Sequence, residues 1–162
     1  MSTEEGTSTR SKPLIGTDEA TIDDKGRILV SKKKRERLGE TFAIALGPTG
    51  CLEAYPQEVW DRKVDKIMGY DDLNPGAQDY SRLILGTAED ELKFDQQGRV
   101  VVPSKLRTLA NLEDKVLLIG CGNRLEVWAA QEYKEFKKYG AEYEKGRREE
   151  INSAYDLMVG RC

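Results

Sequence analysis

The chain has 162 residues, of which 38% are hydrophobic and 34% charged, and its net charge at pH 7 is −3. Because its longest uninterrupted apolar run is the five residues Phe42 to Leu46, we expect neither a transmembrane helix nor a signal peptide. The complete absence of histidine removes the usual general base and the commonest metal ligand, so the composition argues against an enzyme and against a metal or cofactor site.

Turn and cap residues divide the first part of the chain into short elements. Residues 1–12 are polar and lack periodicity, so they predict a disordered tail. Apolar and β-branched residues between turn signals predict strands at 14–22, 28–30, 42–46 and 52–55. Ser31 is typical of a helix N-cap and Gly39 of a helix stop, so we expect a short helix between them.

Two helices are predicted next. Pro56 is suited to the first turn of a helix. The apolar residues that follow it keep helical spacing: Val59, Trp60, Val64, Ile67 and Met68. Asn74 before Pro75 predicts a second helix start. Its apolar positions also keep helical spacing: Ala77, Tyr80, Leu83 and Ile84.

The strand pattern then returns. Strands are predicted at 88–94, 100–102, 115–119 and 125–128, with a short helix beginning at Pro103-Ser104 and a turn at 120–123. A long charged helix is expected from Ala129 onward. The predicted organisation is a tail at 1–12, a first repeat at 13–60, a helical insert at 61–86, a second repeat at 87–136 and a C-terminal helix or tail at 137–162.

Both repeats are centred on an aspartate followed four residues later by an arginine. The pattern occurs as Asp23-Asp24-Lys25-Gly26-Arg27 and again, at an offset of 72 residues, as Asp95-Gln96-Gln97-Gly98-Arg99. The agreement continues beyond it, because Ile28-Leu29-Val30 matches Val100-Val101-Val102. Further along, Lys33 and Arg35 match Lys105 and Arg107.

The repeated residues are suited to a tight turn. Asp23 and Asp95 can accept backbone hydrogen bonds, and Gly26 and Gly98 can adopt positive φ, so we expect these four residues to stabilise the turns. Each repeat is too short to close a core alone. We therefore predict an α+β fold in which two repeats interleave their hairpins into a small β-barrel, with helices after each repeat.

A local excess of positive charge follows the first turn. Between residues 25 and 37 there are seven cations and one acidic residue, Glu36. The cations are Lys25, Arg27, Lys32, Lys33, Lys34, Arg35 and Arg37. The run is compatible with nucleic-acid binding and equally with a solvated helix face. Similarly, each Asp–Arg pair is either a local ion pair, contributing about 0 to 1 kcal/mol, or a support for an arginine that contacts DNA.

Several motifs together resemble one protein family. They are the two Asp-x-x-x-Arg turns, Leu52-Glu53-Ala54-Tyr55-Pro56 followed by Trp60, Asn74-Pro75 before a helix, and Gly98-Arg99-Val100-Val101-Val102-Pro103. Over roughly residues 14–136 the chain resembles the MraZ family, bacterial regulators with two AbrB-like domains. The resemblance implies a DNA-binding repressor of the division and cell-wall gene cluster that binds promoter direct repeats as a ring-shaped homo-oligomer.

The resemblance also implies residue roles. Arg27 matches the principal DNA-contacting position, and Arg99 is its counterpart, which either contacts DNA or stabilises the second turn. We expect Lys25, Lys32, Lys33, Lys34 and Arg35 to contact phosphates. Two departures are Ser31, where the family usually has proline, and the basic run Lys32–Lys34.

Two functional hypotheses follow. The first is a sequence-specific regulator, cytoplasmic and nucleoid-associated, whose partners are duplex DNA and further copies of itself. The second is an AbrB-like protein-interaction or assembly module with only non-specific DNA binding. Neither uses a membrane, a cofactor or a small-molecule substrate. Three cysteines, Cys51, Cys121 and Cys162, form no CxxC pair, which is typical of a reducing compartment.

Overall fold

Strands of the first repeat pair with strands of the second. The computed structural model describes residues 12–137 and 160. In chain order the strands are β1 (Leu14–Thr21), β2 (Arg27–Leu29), β3 (Phe42–Leu46), β4 (Leu52–Pro56), β5 (Glu89–Leu92), β6 (Arg99–Val101), β7 (Lys115–Gly122) and β8 (Leu125–Ala129). The helices are α1 (Lys32–Leu38), α2 (Gln57–Met68), α3 (Pro75–Ile84), α4 (Ser104–Leu109) and α5 (Ala130–Phe136). The fold is therefore α+β, as predicted.

Interleaving determines the sheet order. Six strands form one antiparallel sheet in the order β1-β7-β8-β4-β3-β5. The first strand of each repeat thus pairs with the third strand of the other, β1 with β7 and β5 with β3. The two short strands that follow the turns, β2 and β6, pair with each other in a separate two-stranded sheet. An isolated bridge joins Ile22, the residue after β1, to Ile28 of β2, so the expected hairpin is reduced to a tight turn.

The six-stranded and the two-stranded sheet share one hydrophobic core. Ile28 of β2 and Val100 of β6 are buried together with Phe42, Leu52 and Leu118 of the large sheet. Helices α1 and α4 contribute Leu38 and Leu106, which are 2% and 0% exposed. The core therefore draws its residues from both repeats.

Helices α2 and α3 cover the other face of β3 and β4. Trp60 and Ile67 of α2 pack with Ala43 and Ala45 of β3 and with Ile84 of α3. The predicted apolar stripes are wider than the buried faces. On α2, Met68 is 68% exposed, because the residue after Ile67 is rotated by about 100° around a helix with 3.6 residues per turn. On α3, Tyr80 and Leu83 are exposed.

Other element predictions differ in detail. The turn expected at 120–123 is shorter, since β7 continues to Gly122 and Gly120 lies against the backbone of Ile15 in β1. The strand expected at 88–94 is limited to β5 by an irregular register opposite β3. The predicted tail lies outside the described residues except for Lys12, and so does the C-terminal helix beyond residue 137, apart from Gly160. Helix α5 belongs to a separate unit that begins at Ala130.

Candidate nucleic-acid interface

The first Asp-x-x-x-Arg turn is held by one carboxylate. Oδ1 of Asp23 accepts hydrogen bonds from the backbone N–H groups of Lys25 and Arg27, both at 2.9 Å. Oδ2 of Asp23 accepts a third from Nε of Arg27 at 2.7 Å. The N–H of Gly26 donates to the carbonyl of Asp23 at 3.0 Å, and Gly26 has a φ of +80°. The backbone hydrogen bonds fix the turn, and the contact from Nε to Oδ2 of Asp23 orients the Arg27 side chain.

The second turn repeats this geometry. Oδ1 of Asp95 accepts from the N–H groups of Gln97 and Arg99 at 2.9 Å, and Oδ2 accepts from Nε of Arg99 at 3.0 Å. Gly98 has a φ of +84°. We call these two segments, residues 23–27 and 95–99, the twin turns.

Electrostatics keep both turn carboxylates ionised at neutral pH. The backbone N–H of Arg27 lowers the pKa of Asp23 below its usual value of 3.8; desolvation opposes this shift, while the Arg27 guanidinium and the Lys25 N–H add to it. The N–H of Arg99 lowers the pKa of Asp95 in the same way. Each ion pair uses only Nε of its arginine, and the arginine side chains are 27% and 29% exposed. The guanidinium groups are thus oriented by the protein and still accessible.

Strands β2 and β6 form an antiparallel ribbon that unites the twin turns. Ile28 lies opposite Val100, and both are buried in the core. Because side chains alternate along a strand, the flanking residues face outward. Across the ribbon, Arg27 pairs with Val101 and Leu29 with Arg99. We call these four residues the ribbon face.

Two further arginines connect each turn to the opposite repeat. The guanidinium of Arg107, on α4, lies under Gly26, where a Cβ added to the glycine would be 2.8 Å from Cζ. Nε of Arg107 donates to the carbonyl of Val102 at 3.0 Å, and the N–H of Val102 donates to the carbonyl of Gly26 at 2.9 Å. Arg107 occupies the position in the second repeat that matches Arg35 in the first, and its contact with the first turn was not predicted from the sequence.

Arg35 makes the equivalent contact under the second turn. Its guanidinium lies against Gly98, and its Nη1 donates to the carbonyl of Val30 at 2.5 Å. The N–H of Val30 donates to the carbonyl of Gly98 at 3.1 Å. Arg35 therefore contacts the backbone of both repeats beneath the ribbon, and this internal position does not favour the phosphate contact expected of it.

The basic run divides into exposed and buried lysines. Lys25, Lys32 and Lys33 are exposed. Lys34 is buried, and its Nζ lies 3.0 Å from Oδ2 of Asp18, an internal ion pair that does not favour the phosphate contact expected of Lys34. The reason is the helical period: Lys34 lies on the side of α1 that packs on β1, whereas Lys32 and Lys33 point away. Ser31 caps this helix, since its Oγ accepts from the N–H of Lys34 at 3.4 Å.

A second polar cluster lies on the large sheet and was not predicted. Glu53 is only 4% exposed; it accepts a hydrogen bond from the Tyr55 hydroxyl and lies 3.2 Å from Nε of Arg124. Arg124 also pairs with Glu126 at 2.9 Å. Carboxylate oxygens of Glu53 and Glu126 and Sγ of Cys51 lie within 4.8 Å of one another, as in some metal sites. The guanidinium of Arg124 pairs with both carboxylates, and Tyr55 and Trp128 donate further hydrogen bonds to them, so the cluster is an internal ion-pair network.

The described helices include none that is both long and apolar enough to cross a membrane.

A family model described as "MraZ protein, putative antitoxin-like" matches residues 14–77 and 85–151. The transcriptional regulator MraZ of Limosilactobacillus reuteri is 37% identical over 123 residues, which cover 76% of this chain and 86% of that protein. The transcriptional regulator MraZ of Heliobacterium modesticaldum is 36% identical over 128 residues, covering 79% of this chain and 89% of that protein.

Proposed function

The chain belongs to the MraZ family, a family of transcriptional regulators and not of enzymes, and from this premise we propose that it regulates transcription by binding duplex DNA sequence-specifically. In this proposal it represses the division and cell-wall gene cluster from direct repeats in the promoter. It acts in the cytoplasm, on the nucleoid, as a ring-shaped homo-oligomer.

The observation that carries the proposal is the ribbon face. A two-stranded ribbon is narrow enough to enter the major groove, which is about 12 Å wide. The register of β2 and β6 brings Arg27 and Arg99 onto its outer side, although they are 72 residues apart. An arginine fork held by Nε is suited to bidentate contacts with guanine O6 and N7. We therefore assign base contacts to Arg27 and to Arg99.

Exposed lysines beside the ribbon face supply the non-specific attraction. Lys25 follows Asp23 in the first turn, and Lys32 and Lys33 begin α1 immediately after β2. All three are exposed, so they are available for phosphate contacts, which position a protein without reading sequence. Lys34 and Arg35 have internal partners and are not included.

The ring accounts for DNA binding by a chain whose net charge is −3. One subunit offers a small basic surface, and the charge of the rest of the chain opposes association with phosphate. Several subunits that contact successive repeats gain affinity through effective concentration without any new contact. Binding should therefore depend strongly on the number of repeats in the DNA.

A binding titration tests the proposal. Wild type, Arg27→Ala and Arg82→Ala are titrated against DNA from upstream of the gene and against scrambled DNA, at two salt concentrations. Arg82 is the matched control, because it also pairs with an aspartate, Asp79 at 2.8 Å, but lies on α3 and is 71% exposed. Loss of a bidentate guanine contact should cost about 1–3 kcal/mol for Arg27→Ala on the upstream DNA only. Arg82→Ala should bind as wild type does.

The helical insert favours a second candidate, the protein-interaction module. Met68, Tyr70 and Leu73 are each more than half exposed, and they lie at the end of α2 or between α2 and α3. Exposed apolar groups of this size are typical of surfaces that bind another protein. Equal and steeply salt-dependent binding of both DNAs, unchanged by Arg27→Ala, would contradict sequence-specific binding and support this candidate.

A further inference from the structure

We propose that Leu29 and Val101, the apolar half of the ribbon face, contact the 5-methyl groups of thymine in the DNA site. This inference rests on the proposed DNA binding and extends it to a second kind of base contact. Thymine is the only DNA base that presents a methyl group in the major groove, and apolar side chains recognise it there.

Leu29 and Val101 are apolar but exposed to solvent. Leu29 is 59% and Val101 is 52% exposed, while Ile28 and Val100, their neighbours on the same strands, are 1% and 6% exposed. The ribbon thus buries one pair of apolar residues and presents the other pair outward. Leu29 and Val101 consequently contribute little to the core, and their apolar character is not explained by folding.

The exposed apolar position occurs in both repeats. Leu29 lies two residues after Arg27, and Val101 lies two residues after Arg99, so the two positions are equivalent. A single exposed apolar residue is ordinary on a protein surface. Two at equivalent positions, on one narrow face and beside the two arginines, indicate a common contact surface.

The spacing between each arginine and its apolar neighbour matches the spacing of base pairs. Across the ribbon, Arg27 lies opposite Val101 and Leu29 opposite Arg99. The Cβ atoms of such cross-strand pairs are about 4.5–5.5 Å apart. Base pairs are stacked about 3.4 Å apart, so an arginine at a guanine would place its apolar neighbour one or two base pairs away. The ribbon face would therefore read a guanine with a thymine nearby, and it would do so at both turns.

The test separates the methyl group from every other feature of the DNA. The upstream fragment is prepared in two forms, one with thymine and one with uracil throughout, which lacks only the 5-methyl groups. Wild type, Leu29→Ala, Val101→Ala and Leu83→Ala are titrated against both forms. Leu83 is the matched control, because it is 58% exposed but lies on α3. All three substituted side chains are exposed, so the variants should fold.

Each methyl contact that is lost on uracil DNA should weaken wild-type binding about fourfold, a value taken from methylene transfer. Leu29→Ala and Val101→Ala should bind thymine DNA more weakly than wild type does, and their affinity should fall less when uracil replaces thymine. Leu83→Ala should bind both forms as wild type does. Equal wild-type affinity for both forms would overturn the inference alone. If Leu29→Ala lost the same affinity for thymine DNA as for uracil DNA and its oligomer mass also changed, Leu29 would be assigned to contacts between subunits instead. No preference of wild type for upstream over scrambled DNA would overturn the proposed function as well.

Discussion

Substitution of Gly26 by alanine tests whether the opposite repeat supports the first turn. Gly26 has a φ of +80°, a conformation that costs an alanine about 1–2 kcal/mol. The new Cβ would also lie 2.8 Å from Cζ and 3.1 Å from Nε of Arg107. Because Nε of Arg107 donates to the carbonyl of Val102, moving the guanidinium away breaks that bond. The lost hydrogen bond adds about 0.5–1.5 kcal/mol, giving a total of about 1.5–3.5 kcal/mol.

Gly50 provides the control for this prediction. It has a φ of +93°, and no atom lies within 4 Å of the position that an added Cβ would occupy, so Gly50→Ala carries the backbone cost without the contact. The free energies of unfolding of both variants are measured by urea denaturation. We expect Gly26→Ala to lose about 1 kcal/mol more than Gly50→Ala. Equal losses in the two variants would refute the role assigned to Arg107.

Three further predictions concern titration, an internal ion pair and a thiol. Asp23 and Asp95 have lowered pKa values in the folded protein. The stability that they contribute is therefore complete above about pH 3.8 and is lost as the pH falls through their folded pKa values. Replacing both by asparagine should weaken this acid dependence of the free energy of unfolding, measured by urea denaturation. Asp18→Asn leaves the buried ammonium of Lys34 without a counter-charge and should destabilise the chain by about 1–3 kcal/mol, measured in the same way; Asp18 is 41% exposed, which favours the lower end. Burial raises the pKa of Cys51 to about 12, so mass spectrometry should find it unmodified by iodoacetamide at pH 8 in the folded protein and modified in urea.

Each of these predictions has a contrary result. An unchanged acid dependence in the double asparagine variant would show that other groups dominate acid unfolding. For the ion pair, Asp79→Asn is the control, since its partner Arg82 is 71% exposed and such surface pairs contribute at most about 1 kcal/mol. Asp18→Asn should cost more than this control, and a smaller cost would contradict the importance of burial. Alkylation of Cys51 at the same rate in folded and unfolded protein would contradict its protection.

Local signals were sufficient for most elements. The cap Ser31, the stop Gly39 and the pair Asn74-Pro75 define α1 and α3 because capping depends on a few adjacent residues. The Asp-x-x-x-Arg spacing likewise predicts both turns, since every hydrogen bond to Asp23 comes from within four residues. The repeat itself indicated interleaving, because neither copy has enough apolar residues to enclose a core.

The assignment of the basic run required the tertiary structure. Lys32, Lys33, Lys34 and Arg35 are adjacent in sequence, and composition gives no means of separating them. The packing of α1 buries Lys34 against Asp18 and directs Arg35 toward Gly98. Burial depends on residues that are distant in sequence, so the run alone could not reveal it.

By itself, the sequence determined the duplicated turns, the short strands and the family to which the chain belongs, because these follow from local residue preferences and from a pattern repeated within one chain. Only the tertiary structure decided that β2 pairs with β6, which joins Arg27, Leu29, Arg99 and Val101 in one face. It also placed Arg35 and Arg107 under the turns of the opposite repeats. These contacts join residues about 70 positions apart, and their partners are selected by the packing of the whole core.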